Sequence, residues 1–142
     1  MNDLANTNNN NRVPSYLAEY PWGAVSNNLI GSIGLEKTVE LILARGGSRL
    51  SIPNNSAGTI IENIIGADAA RELCRDFCGE RFDIPKETPA VATWLYMERS
   101  MSQEKIARLV GRSRRSVQLY LNRDFSKSQQ TNAVFKLEGS RK

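Results

Sequence analysis

A segment that occurs twice constrains the fold of this chain more than any other feature. IGLEKTVELILARGGSRLSIP (33–53) aligns without a gap on IGADAARELCRDFCGERFDIP (65–85), an offset of 32 residues. Ile33/Ile65, Gly34/Gly66, Glu40/Glu72, Leu41/Leu73, Gly47/Gly79, Arg49/Arg81, Ile52/Ile84 and Pro53/Pro85 are identical pairs. Each copy reads as a helix of about three turns, a glycine stop and a short strand ended by proline. Gly47 and Gly79 would take the left-handed conformation past the helix end. Beyond them Leu50 and Ile52, or Phe82 and Ile84, alternate with Arg49 and Ser51, or Arg81 and Asp83, which gives each strand one apolar and one polar face. A single strand this short is not stable alone. The two copies therefore pair, within one chain or across a dimer, and a two-fold relation between them makes the pairing antiparallel.

A different pattern governs SQEKIARLVGRSRRSVQLYLNR (102–123). Ile106, Leu109, Val110, Val117, Tyr120 and Leu121 are spaced as two short amphipathic helices sharing one buried side. Gly111 separates them and suits a left-handed stop, Ser113 suits the next N-cap, and Ala107 is small enough for the helices to cross closely. This reads as a helix-turn-helix. The expected fold class is mainly α with a small antiparallel two-stranded β element and a C-terminal helix-turn-helix.

The exposed face of the second helix would carry Ser113, Arg114, Arg115, Gln118, Asn122 and Arg123, with Ser102, Gln103 and Arg112 nearby. Arginine matches the O6/N7 edge of guanine, and Gln or Asn can bond adenine bidentately. From Arg99 to Lys127 there are eight Lys or Arg against two acids, a net of +6, whereas residues 1–98 carry a net of −4. So localised a positive charge is the footprint of phosphate contact and names double-stranded DNA as partner.

Other chemistries find little support. The chain has no histidine, the most frequent general base, and its carboxylates are spread singly. No Gly-rich phosphate loop or nucleophile motif appears, so no enzyme and no cofactor is expected. Cys74 and Cys78 lack the further ligands a zinc site needs, and both read as small core or interface residues. No apolar run approaches the ~20 residues that span a bilayer, and MNDLANTNNNNR is not a signal peptide, so the expected location is the cytoplasm.

The rest of the chain divides around these motifs. Residues 1–13 form an Asn-rich tail expected to be disordered, 14–86 the duplicated scaffold, 87–125 the helix-turn-helix domain and 126–142 a flexible tail. Tyr16, Leu17, Tyr20 and Trp22 pad a core or cover a partner subunit. Between the copies, NNSAGTIIENI predicts a short helix with Ser56 near its cap and Ile60, Ile61 and Ile64 facing inward. Pro89–Ser100 predicts a supporting helix capped by Thr88, with Val91, Trp94, Leu95 and Met97 as its apolar surface. Val134, Phe135 and Leu137 make a weak strand-like run.

Together, Ile33-Gly34, Leu41, Gly46-Gly47, Leu50, Ile52-Pro53, their second-copy equivalents Ile65-Gly66, Ala70, Leu73, Gly79, Phe82 and Ile84-Pro85-Lys86, and the stretch Gln103 to Asn122 resemble the Mor (middle operon regulator) transcription activator family of transposable phages. The resemblance spans most of residues 28–123. It implies a dimeric, sequence-specific transcription regulator of phage or mobile-element type, with an N-terminal dimerisation part containing an antiparallel strand pair. It also implies contact with RNA polymerase, and it carries the DNA-reading role onto Arg114, Arg115, Gln118 and Asn122. The duplication departs from the family, which is expected to hold one such unit per chain. Competing readings are an architectural or maintenance DNA-binding protein with little sequence preference, and a protein-interaction adaptor that uses the repeated units.

Overall fold

The computed structural model describes residues 13–123 and 125. The Asn-rich stretch through Arg12 and the tail from Ser126 onward, with the run at Val134, Phe135 and Leu137, lie outside the described residues. Contacts divide the described chain into two compact units, one of residues 22–91 and one of 13–21 with 92–125.

The first unit holds the repeat. Helix α1 (Ala24–Arg45) leads to strand β1 (Arg49–Ser51), and helix α2 (Ile60–Phe77) leads to strand β2 (Arg81–Asp83). Both helices kink at the glycine that opens each copy: Gly34 has φ 87° and ψ 165°, and Gly66 has φ 90° and ψ 164°. That region of backbone space is open essentially to glycine alone, so the identical pair marks a bend. Past the helix ends Gly47 and Gly79 take positive φ, 86° and 84°, as their positions predict.

The strands pair antiparallel within one chain, Arg49 opposite Asp83, Leu50 opposite Phe82 and Ser51 opposite Arg81. The flanking hydrogen bonds come in equivalent pairs. Ile52 N donates to the Glu80 carbonyl and Ile84 N to the Ser48 carbonyl, both at 2.9 Å. Gly47 N donates to the Ile84 carbonyl at 2.7 Å, and Gly79 N to the Ile52 carbonyl at 2.9 Å. Each bond maps onto its mate by exchange of the copies, so the repeat forms an internal two-fold. Leu50, Ile52, Phe82 and Ile84 are buried, and Arg49, Ser51, Arg81 and Asp83 are exposed. The alternating faces of the sequence are thus realised.

The copies differ where they meet. A Cβ on Gly46 would stand 2.7 Å from the Ile42 carbonyl oxygen and 3.2 Å from that of Pro85, and only glycine fits without displacing backbone. Its counterpart Cys78 is exposed, and its Sγ lies against Asn54 Oδ1. Cys74 is buried, and burial first, then the Cys78 thiol, pushes its pKa up. Of the two cysteines expected in the core or at an interface, Cys74 lies in the core and Cys78 on the surface. Cys78 sits past the end of α2 with φ −51° and ψ 128°, which turns it off the buried stripe.

The segment between the copies supplies the short helical stretch of α2 that precedes the Gly66 kink, as expected, but with a different cap. Thr59, rather than Ser56, caps α2 by accepting from Glu62 N at 3.3 Å, while Glu62 Oε1 accepts from Gly58 N at 2.8 Å. Ile61 and Ile65 form the buried stripe at i, i+4, which leaves Ile64 half-buried and Ile60 48% exposed. At the start of α1, Gly23 offers no side chain as a cap. The Glu87 carboxylate supplies one from far along the chain, accepting from Gly23 N at 2.9 Å and Ser26 Oγ at 2.6 Å.

Helix α3 (Thr88–Arg99) begins in the first unit and continues in the second, which adds α4 (Gln103–Val110) and α5 (Arg114–Leu121). The sequence places residues 14–21 with the scaffold, yet they cluster with the second unit. Tyr16 donates its phenol to Glu98 Oε2 at 2.5 Å, Glu19 N donates to the Phe125 carbonyl, and the Tyr20 ring meets Phe125 edge-on at 5.1 Å. Leu17, Trp94, Leu95, Ile106, Val117 and Phe125 are buried there. Trp94 is core, as expected, and carries the Arg99 guanidinium 4.8 Å from its ring centroid. Met97, expected on the apolar surface of α3, is 51% exposed, because the inward stripe of the helix ends at Leu95. Among the described residues no helix is long and apolar enough to cross a membrane.

Candidate nucleic-acid interface

Helices α4 and α5 are held by signals written in their own sequence. Ser102 caps α4, accepting from Lys105 N at 3.2 Å, and Ser113 caps α5, accepting from Ser116 N at 3.0 Å. Between them Gly111 adopts φ 70° and ψ 35°, and both its own N–H and that of Arg112 are directed to the Ala107 carbonyl. That left-handed residue ends α4, and α5 begins after three intervening residues. Ile106, Ala107 and Val117 are buried and tie the two helices together.

Val117 fixes which way α5 points. At about 100° per residue, the direction opposite Val117 falls within about 40° of Arg115, Leu119 and Asn122, with Gln118 and Arg123 at the flanks. Arg114, Arg115, Gln118, Asn122 and Arg123 are all exposed. Arg114 lies toward α4, its Nη1 4.0 Å from Glu104 Oε2, with 68% and 69% of the two side chains exposed. So open a pair is screened by water and adds little stability.

The remaining residues singled out by sequence have more local roles. The Ser102 and Ser113 hydroxyls act as caps, Gln103 is half-buried in the first turn of α4, and Arg112 is exposed in the turn. Leu109, expected to be buried, is 49% exposed. Ile106, Ala107 and Val110 fill the inward stripe of α4 and turn Leu109 about 100° away from it. Val110, Tyr120 and Leu121 are half-buried.

Leu119 was missed. It is 52% exposed beside Arg115 and Asn122, and its i+4 spacing from Arg115 was the signal that could have found it. A large aliphatic side chain turned to water amid polar neighbours suits contact with an apolar group on a ligand, such as a thymine methyl.

Electrostatically, residues 99–123 hold Arg99, Lys105, Arg108, Arg112, Arg114, Arg115 and Arg123 against Glu104 alone. Residues 22–91 hold seven Lys or Arg against nine acids. A cleft of about 380 Å³ beside Gly34, lined by Glu36, Lys37, Asp68 and Glu72 among others, brings no nucleophile and base together. Among the described residues no group of three or more His, Cys, Asp or Glu is placed to hold a metal ion. Comparisons with family models, curated proteins and solved structures returned no match.

Proposed function

We propose that the chain is a sequence-specific DNA-binding transcription regulator in which α4, the Gly111 turn and α5 act as a helix-turn-helix, with α5 as the recognition helix. The observation that carries this reading is the orientation of α5. Val117 is buried and Arg115, Gln118 and Asn122 are exposed, so groups that pair with guanine and adenine edges lie on the side of α5 turned away from its buried stripe, as a helix in a major groove requires. Arg108, Arg112, Arg114 and Arg123 are exposed on the same helix pair and its turns and carry charge suited to phosphates. The resemblance to the Mor family supports the same role, including a phage or mobile-element setting and contact with RNA polymerase.

Selection of bound duplexes from a random library tests the reading. A consensus bound about 10³-fold or more over random DNA at fixed salt is the expected result. Equal affinity for all duplexes would favour the architectural alternative, and no affinity at physiological salt would favour an adaptor.

A further inference from the structure

The internal two-fold bears on how many chains such a reader needs. Pro53 and Pro85 are equivalent exits from the β ribbon, one at the end of each copy. The first exit runs through residues 54–59 into α2, the helix of the second copy. The second exit runs into α3 and on to α4 and α5. A two-fold scaffold therefore carries one pair of reading helices among the described residues, where a symmetric pair of chains would carry two.

The strand pairing also closes within one chain. Both strands have their partner, the central residues Leu50 and Phe82 are 5% and 8% exposed, and the four flanking backbone bonds close on residues of the same chain. The two ends of the ribbon are chemically unlike: Arg49 Nε bonds Asp83 Oδ1 at 2.9 Å, whereas Arg81 lies opposite Ser51.

We infer that one chain is a fused, self-paired scaffold serving a single recognition helix, and that it binds one asymmetric DNA half-site as a monomer. This rests on the DNA-binding reading above. A dimeric helix-turn-helix protein mirrors its own symmetry in a palindromic operator. Here the symmetry is consumed inside the chain, so the recognised sequence has no dyad.

Three measurements on the full chain decide the matter: its mass in solution, its stoichiometry on a selected duplex, and its affinity for one half-site against two inverted half-sites at varied spacing. The expected results are a monomer, a 1:1 complex and a consensus without dyad symmetry. Adding an inverted second half-site should then raise affinity by about two-fold, the statistical factor, whereas linked sites in a dimer gain about 10²–10⁴. A palindromic consensus filled cooperatively by two chains overturns the inference and leaves the DNA-binding reading intact. Failure to bind any selected duplex overturns both.

Discussion

Leu50 and Phe82 stand directly opposite one another at the centre of the β ribbon, the one residue pair that the internal two-fold maps onto itself. Both are buried, and Phe82 meets the Phe77 ring edge-on at 5.3 Å. Phe82→Ala removes that ring from both copies' shared core and should destabilise the first unit by about 3–5 kcal/mol. Urea unfolding followed through Trp22, in a Trp94→Phe background so that the second unit is silent, measures it. A loss under about 1 kcal/mol would mean that the ribbon is peripheral to the core.

Two glycines with positive φ should answer differently to the same replacements. Gly111 occupies the ordinary left-handed region, so Gly111→Ala should cost about 1 kcal/mol and Gly111→Asn less. Gly66, at φ 90° and ψ 164°, lies where asparagine gains nothing over alanine, although a Cβ there would meet open space. Both Gly66→Ala and Gly66→Asn should cost about 1–3 kcal/mol. Thermal unfolding of the four variants distinguishes the cases, and rescue of Gly66 by asparagine would contradict the bend described for α2.

On the proposed DNA reading, Arg115→Ala should cost about 1–3 kcal/mol on a selected duplex and relax preference at one base pair. Leu119→Ala should cost about 1 kcal/mol or less, and only where a thymine is present. Replacing that thymine by uracil, which lacks the methyl group, should weaken the natural chain and leave the Leu119→Ala variant unchanged. Equal weakening of both chains would detach Leu119 from base reading.

Tyr16 supplies a pH dependence. Burial first, then the hydrogen bond and charge of Glu98, raises its pKa above the usual 10.0. The protonated phenol is the form favoured by folding, so this contribution is fully present below about pH 10 and is lost as the pH rises through the folded value. The stability advantage of the natural chain over Tyr16→Phe should therefore shrink between pH 9 and more alkaline buffers. An advantage independent of pH would mean that folding does not raise the Tyr16 pKa.

The parts of the fold legible in the sequence were those with short-range signals. Gly47 and Gly79, the alternating strands, and the caps at Ser113 and Gly111 each depend on residues a few positions apart, while the antiparallel pairing, which joins Leu50 to Phe82, was legible only through the repeat. The identity of Gly34 and Gly66 was visible, and a separate helix was expected ahead of Gly66, but the bend that joins the two stretches was not, because glycine admits many backbone conformations. Glu87 as the cap of α1 joins residues 64 positions apart, and no local pattern announces it. The exposure of Leu119, Leu109 and Met97 depended on which neighbouring stripe each helix turned inward. Periodicity alone leaves that choice ambiguous by a residue.

Housing both halves of a two-fold in a single polypeptide has a hereditary consequence. In an assembly of identical chains every substitution is felt twice, and both ends must tolerate it. Here Gly46 is glycine where backbone crowds it while its opposite number is Cys78, and Asp83 meets Arg49 while the matching place holds Ser51. Each end is free to specialise, so divergence between the copies records local tolerance one side at a time.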